Sequence, residues 1–180
     1  MVGYPAQSGI IQIGQAPGPY EGRLGRPFAW TAGKTLFKWY ETLGVSESAF
    51  REQVYMAAVC RCFPGKNPKG GDRVPDHLEI SQCSHWLREE AALLRPELVI
   101  PVGKLAISQL LGPGPLDAVV GRVHHVDYFG FSVDVIPLPH PSGLSTWYKM
   151  EPGKTLLREA LRLISHHATW VQVFGSGCDQ

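Results

Sequence analysis

A chain of 180 residues, 44% hydrophobic and 18% charged, is long enough for one well-packed core and short for two, so a single domain over residues 1–180 is expected. That composition excludes a disordered or collagen-like chain, and a formal charge of only +1 excludes a global basic field, so any contact with nucleic acid must be local. No apolar stretch reaches the roughly 18 residues that span a bilayer, and the amino terminus lacks a basic segment followed by an apolar core. The expectation is a soluble, cytoplasmic protein with no membrane contact. Cys60, Cys62, Cys83 and Cys178, without a signal peptide, read as reduced thiols or metal ligands rather than disulfides.

In chain order, Ile10-Ile11-Gln12-Ile13 reads as a buried strand running into the turn Gly14-Gln15-Ala16-Pro17-Gly18. Thr31 is placed to cap a helix whose apolar positions are Leu36, Phe37, Tyr40 and Leu43, with Gly44 as its stop. Val54 to Cys60 reads as a second buried strand, followed by a loop rich in Gly, Pro, Lys and Asn through Val74. From Pro75 a long helix carries Ile80, Cys83, Leu87, Ala91 and Leu94 on one face and closes at Arg95-Pro96. Leu98 to Gly103 is a third strand, and Lys104 to Leu111 a short helix stopped by Gly112.

Arg122 to Phe131 reads as a hairpin-like excursion before a fourth buried strand, Val133-Asp134-Val135-Ile136, which delivers His140-Pro141-Ser142-Gly143-Leu144-Ser145. A last helix, about Pro152 to His167, buries Leu156, Leu157, Ala160, Leu161 and Ile164. This alternation predicts a three-layer α/β/α sandwich around a mainly parallel four-stranded sheet. Loops leaving the carboxyl ends of such strands share one crevice, so the loops after Gly14 and before Ser145 are expected to share one pocket.

Five segments in this order carry a specific resemblance: Gly14-Gln15-Ala16-Pro17-Gly18, Gly25-Arg26-Pro27-Phe28, Arg61-Cys62-Phe63-Pro64 ahead of Asn67, Val99-Ile100-Pro101-Val102-Gly103, and His140-Pro141-Ser142. Singly, each is an ordinary turn or loop. Together, from Ile10 to about Ile164, the chain resembles the uracil-DNA glycosylase superfamily, nearest its iron-sulfur branch. The resemblance implies that fold, and an enzyme that rotates uracil out of DNA and hydrolyses its N-glycosidic bond, leaving an abasic site.

Residue by residue, the resemblance makes His140 the donor to the base carbonyl as the bond breaks, and Phe28 the platform on which the extruded base stacks. Backbone amides of Gln15 and Ala16 would face the base edge. Leu144 would be the wedge that fills the vacated duplex, with Ser142, Gly143, Ser145 and Lys149 against the flanking phosphates. Many members have an aspartate at the position of Ala16 to orient water; here Glu21 matches a family glutamate near the base edge, so the resemblance makes it, with His140, a catalytic residue that excludes a 5-methyl group or positions water. Ala57-Ala58 stands where the iron-sulfur branch has an asparagine that reads the uracil edge, so Ala58 opens the base site toward hypoxanthine and xanthine. A catalytically weak relative that only binds damaged DNA is the alternative.

Of the branch's four cluster cysteines, Cys62 and Cys83 match two, and none precedes Gly14. Cys60, expected to point away from Cys62, and Cys178 could complete a set only in principle, so no cofactor is the preferred reading. Lys66, Lys69 and Arg73 in the second loop are expected near DNA phosphates. The partner is uracil-containing DNA, met as a monomer. His85, His124, His125, His166 and His167 read as structural or surface residues.

Overall fold

The computed structural model describes residues 1–4, 6–68, 70–143 and 145–175. Its sheet is built from β1 (Ile10–Gly14), β2 (Tyr55–Ala58), β3 (Leu98–Pro101), β4 (His124–Tyr128) and β5 (Phe131–Val135). The strand order is β2-β1-β3-β5-β4, parallel throughout except for β4, which runs antiparallel along β5 at one edge. The three-layer α/β/α arrangement is as expected, but the sheet has five strands rather than four. The hairpin-like excursion supplies the extra one. Its sequence His-His-Val-Asp-Tyr alternates in burial because only one face of an edge strand meets the core, so it lacks the continuous apolar run of a central strand.

The helices are α1 (Glu21–Leu24), α2 (Thr31–Glu41), α3 (Glu47–Gln53), α4 (His77–Leu94), α5 (Lys104–Leu111), α6 (Leu116–Val119), α7 (Gly153–His166) and α8 (Ala168–Phe174). Thr31 is the first residue of α2, not its cap; the cap position is Trp30, which makes no side-chain capping bond. Helix α4 starts one residue after Asp76, whose carboxylate takes the Glu79 amide while Glu79 reaches back to the Asp76 amide. Among the described residues, no helix is long and apolar enough to cross a membrane.

Two apolar layers sandwich the sheet. Ile10, Met56, Leu98, Ile100 and Ile136 pack with Leu36, Tyr40, Phe50, Leu161 and Trp170 on one side. On the other, Ile11, Ile13, Ala57, Val99 and Val135 pack with Leu87, Ala91 and Ala106. Alternate residues of each strand thus enter opposite layers. Gln12 is fully buried within the first layer, where its Oε1 accepts the Tyr40 hydroxyl at 2.6 Å. Burial alone pushes the Tyr40 phenol well above its ordinary pKa, so it stays a neutral donor.

The chain leaves β1 toward β2 on one side and returns to β3 on the other. This reversal is the switch point at which an open α/β sheet forms its crevice. Pairing persists past the strand ends: the Val59 and Cys60 amides donate to the Gly14 and Gln15 carbonyls, and the Gly103 amide to the Leu138 carbonyl at 2.9 Å. These bonds carry the sheet's pairing into the loops after β1, β2, β3 and β5.

Candidate functional site at the carboxyl ends of the strands

A cavity of about 450 Å³ opens at this switch point, lined among others by Gly14 through Glu21, Pro27, Phe28, Ala57, Ala58, Asp72, His140 and Ser142. The first loop and the His140 loop therefore do share one pocket. Gln15, Ala16, Phe28, Ala58, Glu21, His140 and Ser142 all line it, whereas Gly143, Ser145 and Lys149 do not. In the loop that follows, the Ser145 amide donates to the Ser142 carbonyl at 3.0 Å, and Lys149 Nζ to the Gly143 carbonyl at 3.4 Å. Leu144 lies outside the described residues.

The His140 ring has little freedom. Its edge sits where a side chain on Gly103 would be, only 3.0 Å from a Cβ built there, and Gly103 holds φ at +89°. The Ser142 amide donates to His140 Nδ1 at 3.2 Å, which makes Nδ1 the acceptor and leaves the ring hydrogen on Nε2. Burial holds the His140 pKa below its ordinary value, offset in part by the charge of Asp72. The ring is thus a neutral donor fixed in the wall of the cavity.

Phe28 is held from three directions. Its ring lies against Gly14, whose hypothetical Cβ would be 3.0 Å from two ring carbons. Its backbone, at φ 50°, is in the left-handed region that a phenylalanine enters only when its surroundings compel it. Arg51 supplies that compulsion: Nη2 donates to the Phe28 carbonyl at 3.1 Å and Nη1 to the Pro27 carbonyl at 2.8 Å. The guanidinium is itself 6% exposed, pairs with Glu47 at 2.8 Å and lies over the Phe37 ring. Burial lowers its proton affinity, countered by the Glu47 bond, yet arginine stays charged. Replacing Arg51 by methionine strands two carbonyls and is expected to cost about 1–3 kcal/mol in a urea melt. An unshifted midpoint would refute the clamp.

Glu21 is spent on the loops themselves. Its Oε2 accepts the Gly18 amide at 2.8 Å and its Oε1 the Ala29 amide at 3.1 Å, tying the first loop to the Phe28 loop. Sequence reasoning reached Glu21 but not Arg51 or Asp72. No motif or periodicity singles out Arg51, and Asp72 follows two glycines in an exposed loop. Tyr20 and Trp30 were also missed: their rings stack 4.6 Å apart on the rim of the cavity, 45% and 49% exposed.

In the basic loop, Arg73 hydrogen-bonds twice to Glu79 and also to the Pro64 and Val74 carbonyls, which pins the loop to α4. Lys66 is exposed, and Lys69 lies outside the described residues.

The resemblance to the iron-sulfur branch invites a test of the cysteines. Strand β2 ends at Ala58, so strand alternation does not turn Cys60 away from Cys62, and Cys83 and Cys62 are both near enough to act electrostatically on its thiol. Burial first, then Cys83, pushes the Cys60 thiol up to about 12, so it is protonated at neutral pH. Cys178 lies outside the described residues. A cube takes four thiolates. The described residues do not fit that demand, and no group of three His, Cys, Asp or Glu among them is arranged to hold a metal ion.

A family model described as the uracil DNA glycosylase superfamily matches residues 2–164. The chain is 30% identical over 140 residues to the type-4 uracil-DNA glycosylase of Archaeoglobus fulgidus, covering 75% of this chain and 66% of that protein. It is 30% identical over 135 residues to the type-4 enzyme of Thermotoga maritima, covering 75% and 65%. To the type-5 uracil-DNA glycosylase of Pyrobaculum aerophilum it is 33% identical over 108 residues, covering 54% and 45%. The chain thus spans just under two thirds of the length of the first two relatives. Since the matched residues run from ahead of β1 into α7 and include every loop that lines the cavity, the chain belongs to the uracil DNA glycosylase superfamily.

Proposed function

We propose that this protein is a monofunctional DNA glycosylase, acting as one domain and as an intracellular monomer, that extrudes uracil from DNA and hydrolyses its N-glycosidic bond. The observation that carries the reading is a neutral His140, fixed by Gly103 and Ser142, in the same cavity as the Phe28 ring. In the proposed reaction the base stacks on Phe28 and its carbonyl accepts from His140 Nε2–H. As the bond breaks, the electron pair moves to the base, and a donor already in place stabilises the developing anion. Water adds at the sugar carbon vacated by the base. The described residues lining the cavity include no lysine that could form a Schiff base with the sugar. Glu21 contributes by keeping the first loop and the Phe28 loop in register, and Ser142, Gly143, Ser145 and Lys149 by meeting the flanking backbone.

A second reading is favoured by the β2 wall. Ala58, beside Gly14 in the sheet register, offers a methyl group where an amide would select the uracil edge. A methyl group rejects little, so hypoxanthine and xanthine enter the same site. The test is release of free base from otherwise identical duplexes carrying one U, hypoxanthine, xanthine or T. Uracil is expected to be released fastest and the deaminated purines measurably, with T untouched. Release of none of them would leave the damaged-DNA binder as the reading, and equal release of T would exclude a shaped pyrimidine site.

A further inference from the structure

We propose that Asp72 is a catalytic residue of this site, the carboxylate that positions and deprotonates the attacking water and faces the cationic sugar. The inference rests on the glycosylase reading and assigns the group which that reading leaves open. Ala16 has no side chain able to act on water. Glu21 lies in the cavity, but both of its oxygens are engaged by the Gly18 and Ala29 amides. Among the described residues that line the cavity, Asp72 is the other acidic one. Its Oδ2 comes within 3.6 Å of the point where a Cβ on Gly18 would stand, and Glu21 Oε2 within 3.9 Å of the same point. None of the hydrogen bonds among the described residues ends on the Asp72 carboxylate. Its charge nevertheless reaches His140, which it helps to hold a proton.

Glycosidic cleavage through an oxocarbenium-like state places positive charge on the sugar and negative charge on the leaving base. Asp72 and His140 are a complementary pair for those two charges, one an anion and the other a neutral donor. In the step, the C1′–N bond breaks with its electron pair going to the base, and a water oxygen bonds to C1′. The proton lost by that water passes to the Asp72 carboxylate, which later yields it to solvent or to the released base. No other reactant is needed.

The experiment uses the full chain with Asp72→Asn, Asp72→Ala and Glu21→Gln. Single-turnover uracil release at saturating enzyme is expected to fall about 100-fold or more in Asp72→Asn, with the half-saturating enzyme concentration unchanged. A second readout compares binding to duplexes holding a cationic pyrrolidine or a neutral tetrahydrofuran in place of the abasic sugar. The unaltered protein should prefer the cation, and Asp72→Asn should lose that preference by about tenfold, while Glu21→Gln keeps it. Asp72→Asn within twofold of the unaltered protein overturns the proposal, and so does a slowed variant whose preference for the cation is intact, because that pattern marks a structural loop residue. If the unaltered protein releases no uracil, the glycosylase reading fails by itself, and the two sugar mimics still decide the role of Asp72.

Discussion

Replacing His140 by alanine is expected to slow single-turnover uracil release by about 10²–10³-fold while leaving DNA binding nearly unchanged. The magnitude is that of deleting one pre-aligned donor from a site where negative charge develops. The donor is costly to replace because it is fixed twice over: Gly103 leaves room for the ring edge, and the Ser142 amide claims Nδ1, so that only Nε2–H can serve the base. A water entering the vacated space would have to reorganise as charge forms, which the imidazole need not do. Near-normal rates in His140→Ala would remove His140 from the chemistry.

The same geometry sets the pH response. Protonation would put a hydrogen on Nδ1 facing the Ser142 N–H, setting donor against donor. Since burial keeps the folded pKa of His140 below its unfolded value of about 6.5, the rate should be level from pH 8 to about 6.5 and fall only at lower pH. Stability follows the same sign. The unfolded chain takes up the proton first, so the His140 contribution to stability is lost as pH falls through about 6.5, and His140→Ala should flatten that part of the curve. A rate inflection above 6.5 that disappears in the variant would contradict a buried, neutral ring.

The second large effect is expected from Gly33→Ala, a change within the first turn of α2 at a residue that does not itself line the cavity. A Cβ there would stand 1.7 Å from the Phe28 carbonyl oxygen and 2.6 Å from its carbon, distances that only backbone movement can relieve. That carbonyl is the one Arg51 Nη2 holds, so moving it breaks the clamp and lifts the Phe28 ring from Gly14. Overpacking of this kind costs about 1–3 kcal/mol, occasionally more. Loss of the stacking platform, worth about 1–3 kcal/mol per base, would lower base release by roughly five- to a hundred-fold. Urea melts and single-turnover rates on the same preparation measure both. A variant as stable and as fast as the unaltered chain would show that the Phe28 position is not set by this contact.

Some of these residues were legible before any fold was known. His140 and Phe28 follow short, recognisable segments, and the strands that carry the neighbouring loops are continuous apolar runs because both of their faces are buried. Helix α5 could be bounded from sequence because Gly103 and Gly112 flank it. By contrast, α1, α3, α6 and α8 span seven residues or fewer and carry too little periodicity to stand out, and β4 reads as polar because one of its faces is at the surface.

What the sequence by itself determined is the order of the four parallel strands and the longer helices, the three layers, and the two loops that face one crevice, since apolar periodicity and turn chemistry are local properties of the chain. Only the tertiary structure decided which polar groups act on which. Arg51 reaches back 23 residues to the Phe28 carbonyl, Arg73 is absorbed by Glu79, Glu21 is engaged by two backbone amides, and the Asp72 carboxylate comes within 3.6 Å of the Gly18 Cβ position. A charge in a sequence shows no partner. Its role depends on the hydrogen bonds and burial that the fold brings to it, as the two backbone amides on the Glu21 carboxylate show.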